Sequence, residues 1–278
     1  MAAQCYLAGR SADFLGYAEA GQMVIESRRF EAVPYEFEAM LASAYAALGQ
    51  PERWVEVCRS VIARSPGTHT LARALLAVAL TFADAHDEAL AASEGLPAAA
   101  DATGNPNVAS FALLAYGFAR RDADPAAAYA VVQRGLTIAQ NSGNRWAESI
   151  LAGVLSRWVV AHGDPTDAFD YMTLAIRRYY DSGNVALLRS PLAALAAYLD
   201  RLGHHEPAAT ISGFAATPFT RTARPEITTV ITHLRDVLGE ATYESLARKG
   251  ETMSTTALVT YAYEQIDQAR AELNTVSK

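Results

Sequence analysis

The sequence predicts an all-α protein, and three observations carry that reading. Glycine-marked turns recur at a nearly constant interval, a second series of proline-marked turns interleaves with them, and apolar residues between the marks recur at spacings of three and four. No stretch sustains the two-residue alternation of a half-buried strand.

The first series is Ser65-Pro66-Gly67-Thr68, Ala102-Thr103-Gly104-Asn105, Asn141-Ser142-Gly143-Asn144 and Asp181-Ser182-Gly183-Asn184, with glycines 37, 39 and 40 residues apart. The second is Gln50-Pro51, Asp124-Pro125, Asp164-Pro165 and Glu206-Pro207. Ala85-His86-Asp87-Glu88-Ala89 holds the register where the proline is missing. A glycine closing an apolar-periodic run takes the left-handed conformation that ends a helix, and the Asn or Thr after it caps the next one. At the other junctions Asp is a good N-cap, and proline suits the first helical position, where its missing N–H costs nothing. Each unit therefore reads as helix A, a short turn, helix B and a glycine-marked turn.

The intervening stretches fit. Trp146, Ile150, Leu151, Val154, Leu155 and Trp158 lie on one face of a helix A, and Ala168, Tyr171, Met172, Ala175, Ile176 and Tyr179 on one face of its helix B. Ala152, Gly153, Ala168 and Ala175 leave room for the paired helices to approach. Two helices per unit of about 38 residues belong to the solenoid class, slightly longer than the tetratricopeptide (TPR) repeat of about 34. The expected architecture is a TPR-like right-handed α-solenoid of antiparallel helix pairs over 1–216, with a C-terminal helical cap over 217–278 packed on the last repeat.

Both ends differ from the middle. Residues 11–28 read as a single helix with Phe14, Leu15, Tyr17, Met23, Val24 and Ile25 spread over much of its surface, before Pro34–Leu48 and Pro51–Ala63 supply the first pair. A solenoid end is normally polar, so the expectation is either that the repeats of this chain or its ancestor continued N-terminally, or that a partner or a second copy covers this helix. After a helix over Ala208–Ala216, Thr217-Pro218-Phe219-Thr220-Arg221 reads as a loop. Pro225 opens a helix to Leu238, Glu240–Lys249 makes a short one stopped by Gly250, and Ser254 caps a last helix to about Leu273.

Composition removes several function classes. The chain has 278 residues, 51% of them hydrophobic and 19% charged, in the range of globular proteins. No run of 18 apolar residues is present and Met1–Arg10 lacks a basic leader, so neither a membrane span nor a signal peptide is expected. Cys5 and Cys58 are too few for a disulfide framework, which points to the cytoplasm. A net charge of −7 argues against direct nucleic-acid binding. Lys249 and Lys278 are the only lysines among 23 basic side chains.

The C-terminal section, Ala208-Ala209-Thr210-Ile211-Ser212-Gly213, then Leu234-Arg235, Leu238-Gly239, Tyr243, Gly250-Glu251, Met253-Ser254, Ala257 and Tyr261-Ala262, resembles the end of large actinobacterial, mycobacterial-type regulators. In that family a signal-transduction ATPase is joined to a TPR-like region, often with an adenylate-cyclase-like domain or a LuxR-type helix-turn-helix. The resemblance runs over the repeats and the terminal helices and implies the sensing portion alone. Neither lysine stands in the Gly-x-x-x-x-Gly-Lys-Ser/Thr setting of a phosphate-binding loop. The last helix is not the second half of a basic helix-turn-helix.

Candidate chemistry is sparse. His204-His205-Glu206 has no second ligand pair near it in sequence, and His69, His86, His162 and His233 are scattered, so no metal is expected. Cys58 reads as a buried apolar residue in a helix B, and Ser149, Ser156 and Ser190 lack a nucleophile-elbow setting, so neither catalytic residues nor a cofactor is expected. Trp146, Trp158, Tyr179, Tyr180 and Tyr198 read as core residues first and groove anchors second. Six residues past the marker glycines stand Arg73, Ser110, Ser149 and Arg189, all on A helices. With Arg145 and Arg157 they are the candidate lining of a groove for a protein, a peptide or a small effector. The functional expectation is a non-catalytic binding or effector-sensing module of a signalling or transcriptional regulator. The alternatives are a LuxR-type regulator acting on DNA directly or through a partner, and a split subunit of an ATPase or cyclase regulator.

Overall fold

In the computed structural model, residues 11–28, 42, 45, 48–64, 70–162, 165–223 and 226–276 are described. Among them every regular element is a helix and none is a strand, and no helix is long and apolar enough to cross a membrane. They group into two compact units, Met1–Leu151 and Ala152–Lys278. The boundary expected after residue 216 falls inside the second unit. Most of the first helix A at Pro34–Leu48, the marker at Ser65–Thr68, His69 and Cys5 lie outside the described residues.

The first unit holds α1 (Ser11–Arg28), α2 (Pro51–Arg64), α3 (Thr70–Phe82), α4 (His86–Ser93), α5 (Leu96–Ala102), α6 (Pro106–Arg120), α7 (Pro125–Ser142) and the first turns of α8 (Arg145–His162). Helix α3 packs on α2, α4 and α6, and α6 packs on α7. Alanines sit where these helices meet: Ala74, Ala77, Ala109, Ala112 and Ala115 share a core with Val78, Leu96 and Leu113. The stretch expected as one helix B after Ala85 is two short helices, because Gly95 turns left-handed (φ 73°) and Pro97 follows it without an N–H to give. Helix α1 buries Phe14 and Ala18, the latter near Tyr45 and Trp54, and leaves Tyr17 and Met23 exposed.

The turn chemistry read from the sequence is present at four of the described turns, but not at Glu206-Pro207, where the helix starts at His205 and has no side-chain cap. Asn105 accepts from the N–H groups of Asn107 and Val108, Asn144 from Ala147 at 3.1 Å and Asn184 from Leu187 at 3.1 Å, each at the start of a helix. Asp124 caps α7 through the Ala127 N–H at 3.1 Å. At Gly143 (φ 71°) the chain leaves α7 with Asn144 N–H returning to Ala139 O at 2.9 Å. One Gly-Asn dipeptide thus satisfies the last carbonyls of one helix and the first amides of the next.

The second unit holds the rest of α8, then α9 (Pro165–Asp181), α10 (Val185–Arg201), α11 (His205–Ala215), α12 (Pro218–Ala223), α13 (Glu226–Leu238), α14 (Glu240–Thr252) and α15 (Thr255–Val276). The faces expected to be apolar are buried: Val154, Leu155 and Trp158 on α8, and Ala168, Met172, Ala175, Ile176 and Tyr179 on α9. Two expectations need correction. Thr217–Arg221 is not a loop: Thr217 and Thr220 exchange hydrogen bonds, each hydroxyl accepting from the other's N–H, and this reciprocal cap starts α12 at Pro218. Gly250 does not stop a helix, since α14 runs on to Thr252. It is buried where α14 crosses α11, facing Thr210.

Candidate functional site

The expected polar row on the A helices does not present six free side chains. Ser110 is buried on α6 and donates to Gly135 O at 3.2 Å. Ser149 is buried on α8 and donates to Arg145 O at 2.7 Å. Arg73, exposed on α3, donates to Glu94 O at 2.6 Å just past the end of α4. In the second unit Arg157 pairs with Glu226 at 3.6 Å. Arg189 donates to Phe214 O and lies 4.3 Å over the Phe214 ring, and burial lowers its pKa. Serine hydroxyls mid-helix satisfy a nearby carbonyl whenever they are buried, and an arginine reaching a helix C-terminus does the same for its last carbonyls. A polar residue recurring on A helices is thus accounted for by contacts to backbone carbonyls and an ion pair within the protein. Of the six, Arg145 alone has a side chain with no hydrogen bond or ion pair among the described residues, and it stands exposed in the first turn of its helix.

Beside Arg145 the structure places a feature that periodicity assigned to the core. Trp146 is 47% exposed, although its ring stacks on Phe111 of α6 at 4.9 Å with the planes 12° apart. Asn144, just before it, donates from its side-chain amide to Asn107 Oδ1 at 2.9 Å, which fixes the start of α8 against the start of α6. Leu151, Val154 and Leu155, expected on the same apolar face, are covered. Trp158, Tyr179 and Tyr198, expected in the core, are buried, with Tyr198 against Phe169 at 4.9 Å. The result is a half-exposed aromatic ring stacked on a second one, next in sequence to an exposed arginine.

A second constellation was invisible to sequence spacing. Asp200 lies in the last turn of α10, His205 in the first turn of α11, and His233 on α13. The Asp200 carboxylate contacts His205 Nδ1 at 3.0 Å and His233 Nδ1 at 2.9 Å, and the candidate ligand atoms of the three residues lie within 4.8 Å of one another. His204, the adjacent histidine, points elsewhere and pairs with Glu272 at 3.1 Å. His205 has its partner 28 residues downstream on a helix of the C-terminal section, and only tertiary packing joins them.

Cys58 is buried on α2 near Ala79 and Leu80 of α3. Desolvation pushes its thiol up to about 12, with Trp54 pulling weakly the other way, so the nucleophilic thiolate is almost unpopulated at neutral pH. Iodoacetamide at pH 8 is expected to leave the Cys58 peptide unmodified in the native chain and to label it fully in guanidinium, as read by peptide mass. Labelling of the native chain at the rate of a free thiol would contradict this burial. No protein-family model matches the chain, and no curated protein matches it significantly.

Proposed function

We propose that this chain is a non-catalytic helical-repeat module of a signalling or transcriptional regulator, and that it binds a protein segment over the Trp146 ring. In this reading the helix pairs follow one another as a TPR-like right-handed α-solenoid. Its support is the repeated Gly-Asn and Asp-Pro turn chemistry, which places an N-capped A helix at Asn105, Asn144 and Asn184. The observation that carries the binding assignment is Trp146 itself, a large aromatic left half-exposed while held rigidly on Phe111.

A rigid aromatic is a low-entropy anchor, since little side-chain freedom remains to be lost on binding. Covering the exposed half of a tryptophan removes roughly 100 Å² from water, which stabilises a complex by about 2–3 kcal/mol at about 25 cal/mol/Å². Arg145 beside it supplies charge and bidentate donors for a carboxylate or backbone carbonyl of the partner segment. Tyr17 and Met23, the latter 70% exposed on α1, offer a separate apolar contact for a partner or a second copy.

The test captures partners from the native cytoplasm with the whole chain and with its Trp146→Ala and Arg145→Ala variants as bait, then measures the affinity of each captured protein. The expected result is a partner bound at least about tenfold more weakly by Trp146→Ala, with the melting temperature within about 2 °C of the parent. Partners that bind both variants as tightly as the parent would remove the assignment.

A further inference from the structure

We propose that Asp200, His205 and His233 form a binding site for a divalent transition-metal ion, with Zn²⁺ as its best-fitting occupant.

Three observations converge on it. The first is donor chemistry. Two imidazole nitrogens and one carboxylate oxygen are a borderline set that suits zinc and its first-row neighbours, whereas magnesium and calcium take oxygen donors almost exclusively. The second is placement. The donors come from α10, α11 and α13, three helices packed together within one compact unit. The carboxylate stands 3.0 Å from His205 Nδ1 and 2.9 Å from His233 Nδ1. Metal–ligand distances of about 2.0–2.2 Å around a tetrahedral ion put neighbouring donor atoms about 3.3 Å apart. The two histidine contacts therefore lie within a few tenths of an ångström of coordination spacing. His233, with its side chain 50% exposed, has room to turn the remaining distance.

The third observation is electrostatic. The Asp200 side chain is only 8% exposed and sits in the last turn of α10, at the negative end of the helix dipole, where a carboxylate is disfavoured. Among the described residues no arginine or lysine pairs with it, and its side-chain partners are His205 and His233. The two imidazoles reach the carboxylate through Nδ1, and among the described residues no arginine or lysine stands by it as a fixed positive charge. A dication between the three groups supplies that charge, and the exposed His233 side leaves a coordination position open to water. Because the donors belong to three helices, the ion would tie the end of α10 to α11 and α13 and add its binding free energy to the stability of that unit.

The test uses the whole untagged chain, stripped with EDTA, and titrates ZnCl₂ by calorimetry alongside thermal melts. The expected result is saturable binding of one ion per chain and a melting temperature raised by about 5–10 °C at zinc about a hundredfold above Kd. Cobalt should give the visible absorption of a tetrahedral ion. His233→Gln, on an exposed position that tolerates substitution, should weaken binding by more than the about 10–100-fold that loss of an outer-shell partner costs. His205→Ala should do likewise, and His233→Gln carries the test alone if that variant does not fold. His86→Ala, which removes a histidine paired with Asp84 on the surface of the other unit, should bind zinc like the parent. Absence of saturable binding, or unchanged affinity in His233→Gln, would overturn the site.

Discussion

Replacing Gly250 by alanine is expected to cost about 3 kcal/mol or more of stability and to lower the melting temperature by about 6–12 °C. A Cβ at this position would lie 2.8 Å from the Thr210 carbonyl carbon and closer still to its oxygen. The crossing is reciprocal, because a Cβ on Gly213 would lie 2.6 Å from the Ala247 carbonyl carbon. Both clashes are with backbone and not with a side chain that could swing away, so α11 and α14 would have to separate. Separation would loosen the contact that carries Ser212, Tyr243 and the buried residues around them. Gly213→Ala should behave the same way. Gly153→Ala is the internal control: its Cβ would meet only the Ala175 Cβ at 3.8 Å, an ordinary contact. Since alanine is the better helix former by about 1 kcal/mol, that change should be neutral or stabilising. Thermal melts of the three variants decide the matter. A loss below about 1 kcal/mol at both crossing glycines would show that the two helices are not held at glycine distance.

The repeat turns were legible in sequence because their chemistry is local. The Gly-Asn dipeptides at 143–144 and 183–184 supply a left-handed residue and a cap within two positions, and both do so in the structure. Gly250 shows where such reading stops. A glycine after a helical run has two physical uses, ending the helix or admitting another backbone, and only the position of α11 tells them apart. The Thr217–Thr220 cap was missed for a different reason: threonine replaces the acidic residue that usually marks a reciprocal cap, and Pro218 reads equally as a turn. The candidate site was legible in part. The aromatic and polar positions were singled out, but periodicity sorts residues by face and not by height. It therefore could not see that Trp146 stands half-exposed while Ser110 and Ser149 are covered. The Asp200 constellation was beyond reach, since its third member is 33 residues away on a helix whose packing no local pattern encodes.

Arg189→Met is the second substitution with a large expected effect, and it separates a groove residue from a structural one. Phe214 stands next to last in α11, and the N–H that its carbonyl would accept from in a continuing helix belongs to position 218. That position is proline, which has no N–H. Arg189, reaching over from α10, donates to this carbonyl and stacks its guanidinium on the same residue's ring. Sequence and tertiary contact thus agree on why a half-buried cation stands here: it replaces a donor that Pro218 removes. A charge-assisted bond of this kind contributes about 1.5–3 kcal/mol, and a desolvated cation–π contact adds about 1 kcal/mol. Methionine retains most of the apolar stem but neither interaction, so a loss of about 2–4 kcal/mol is expected in denaturant titrations. Arg189→Lys keeps the charge without the planar fork and should fall between the two. If Arg189 instead served a ligand, Arg189→Met would abolish partner binding at unchanged stability. The opposite pattern is expected, stability lost at Arg189 and affinity lost at Trp146, because one side chain closes a helix end inside the protein and the other has half its ring facing water.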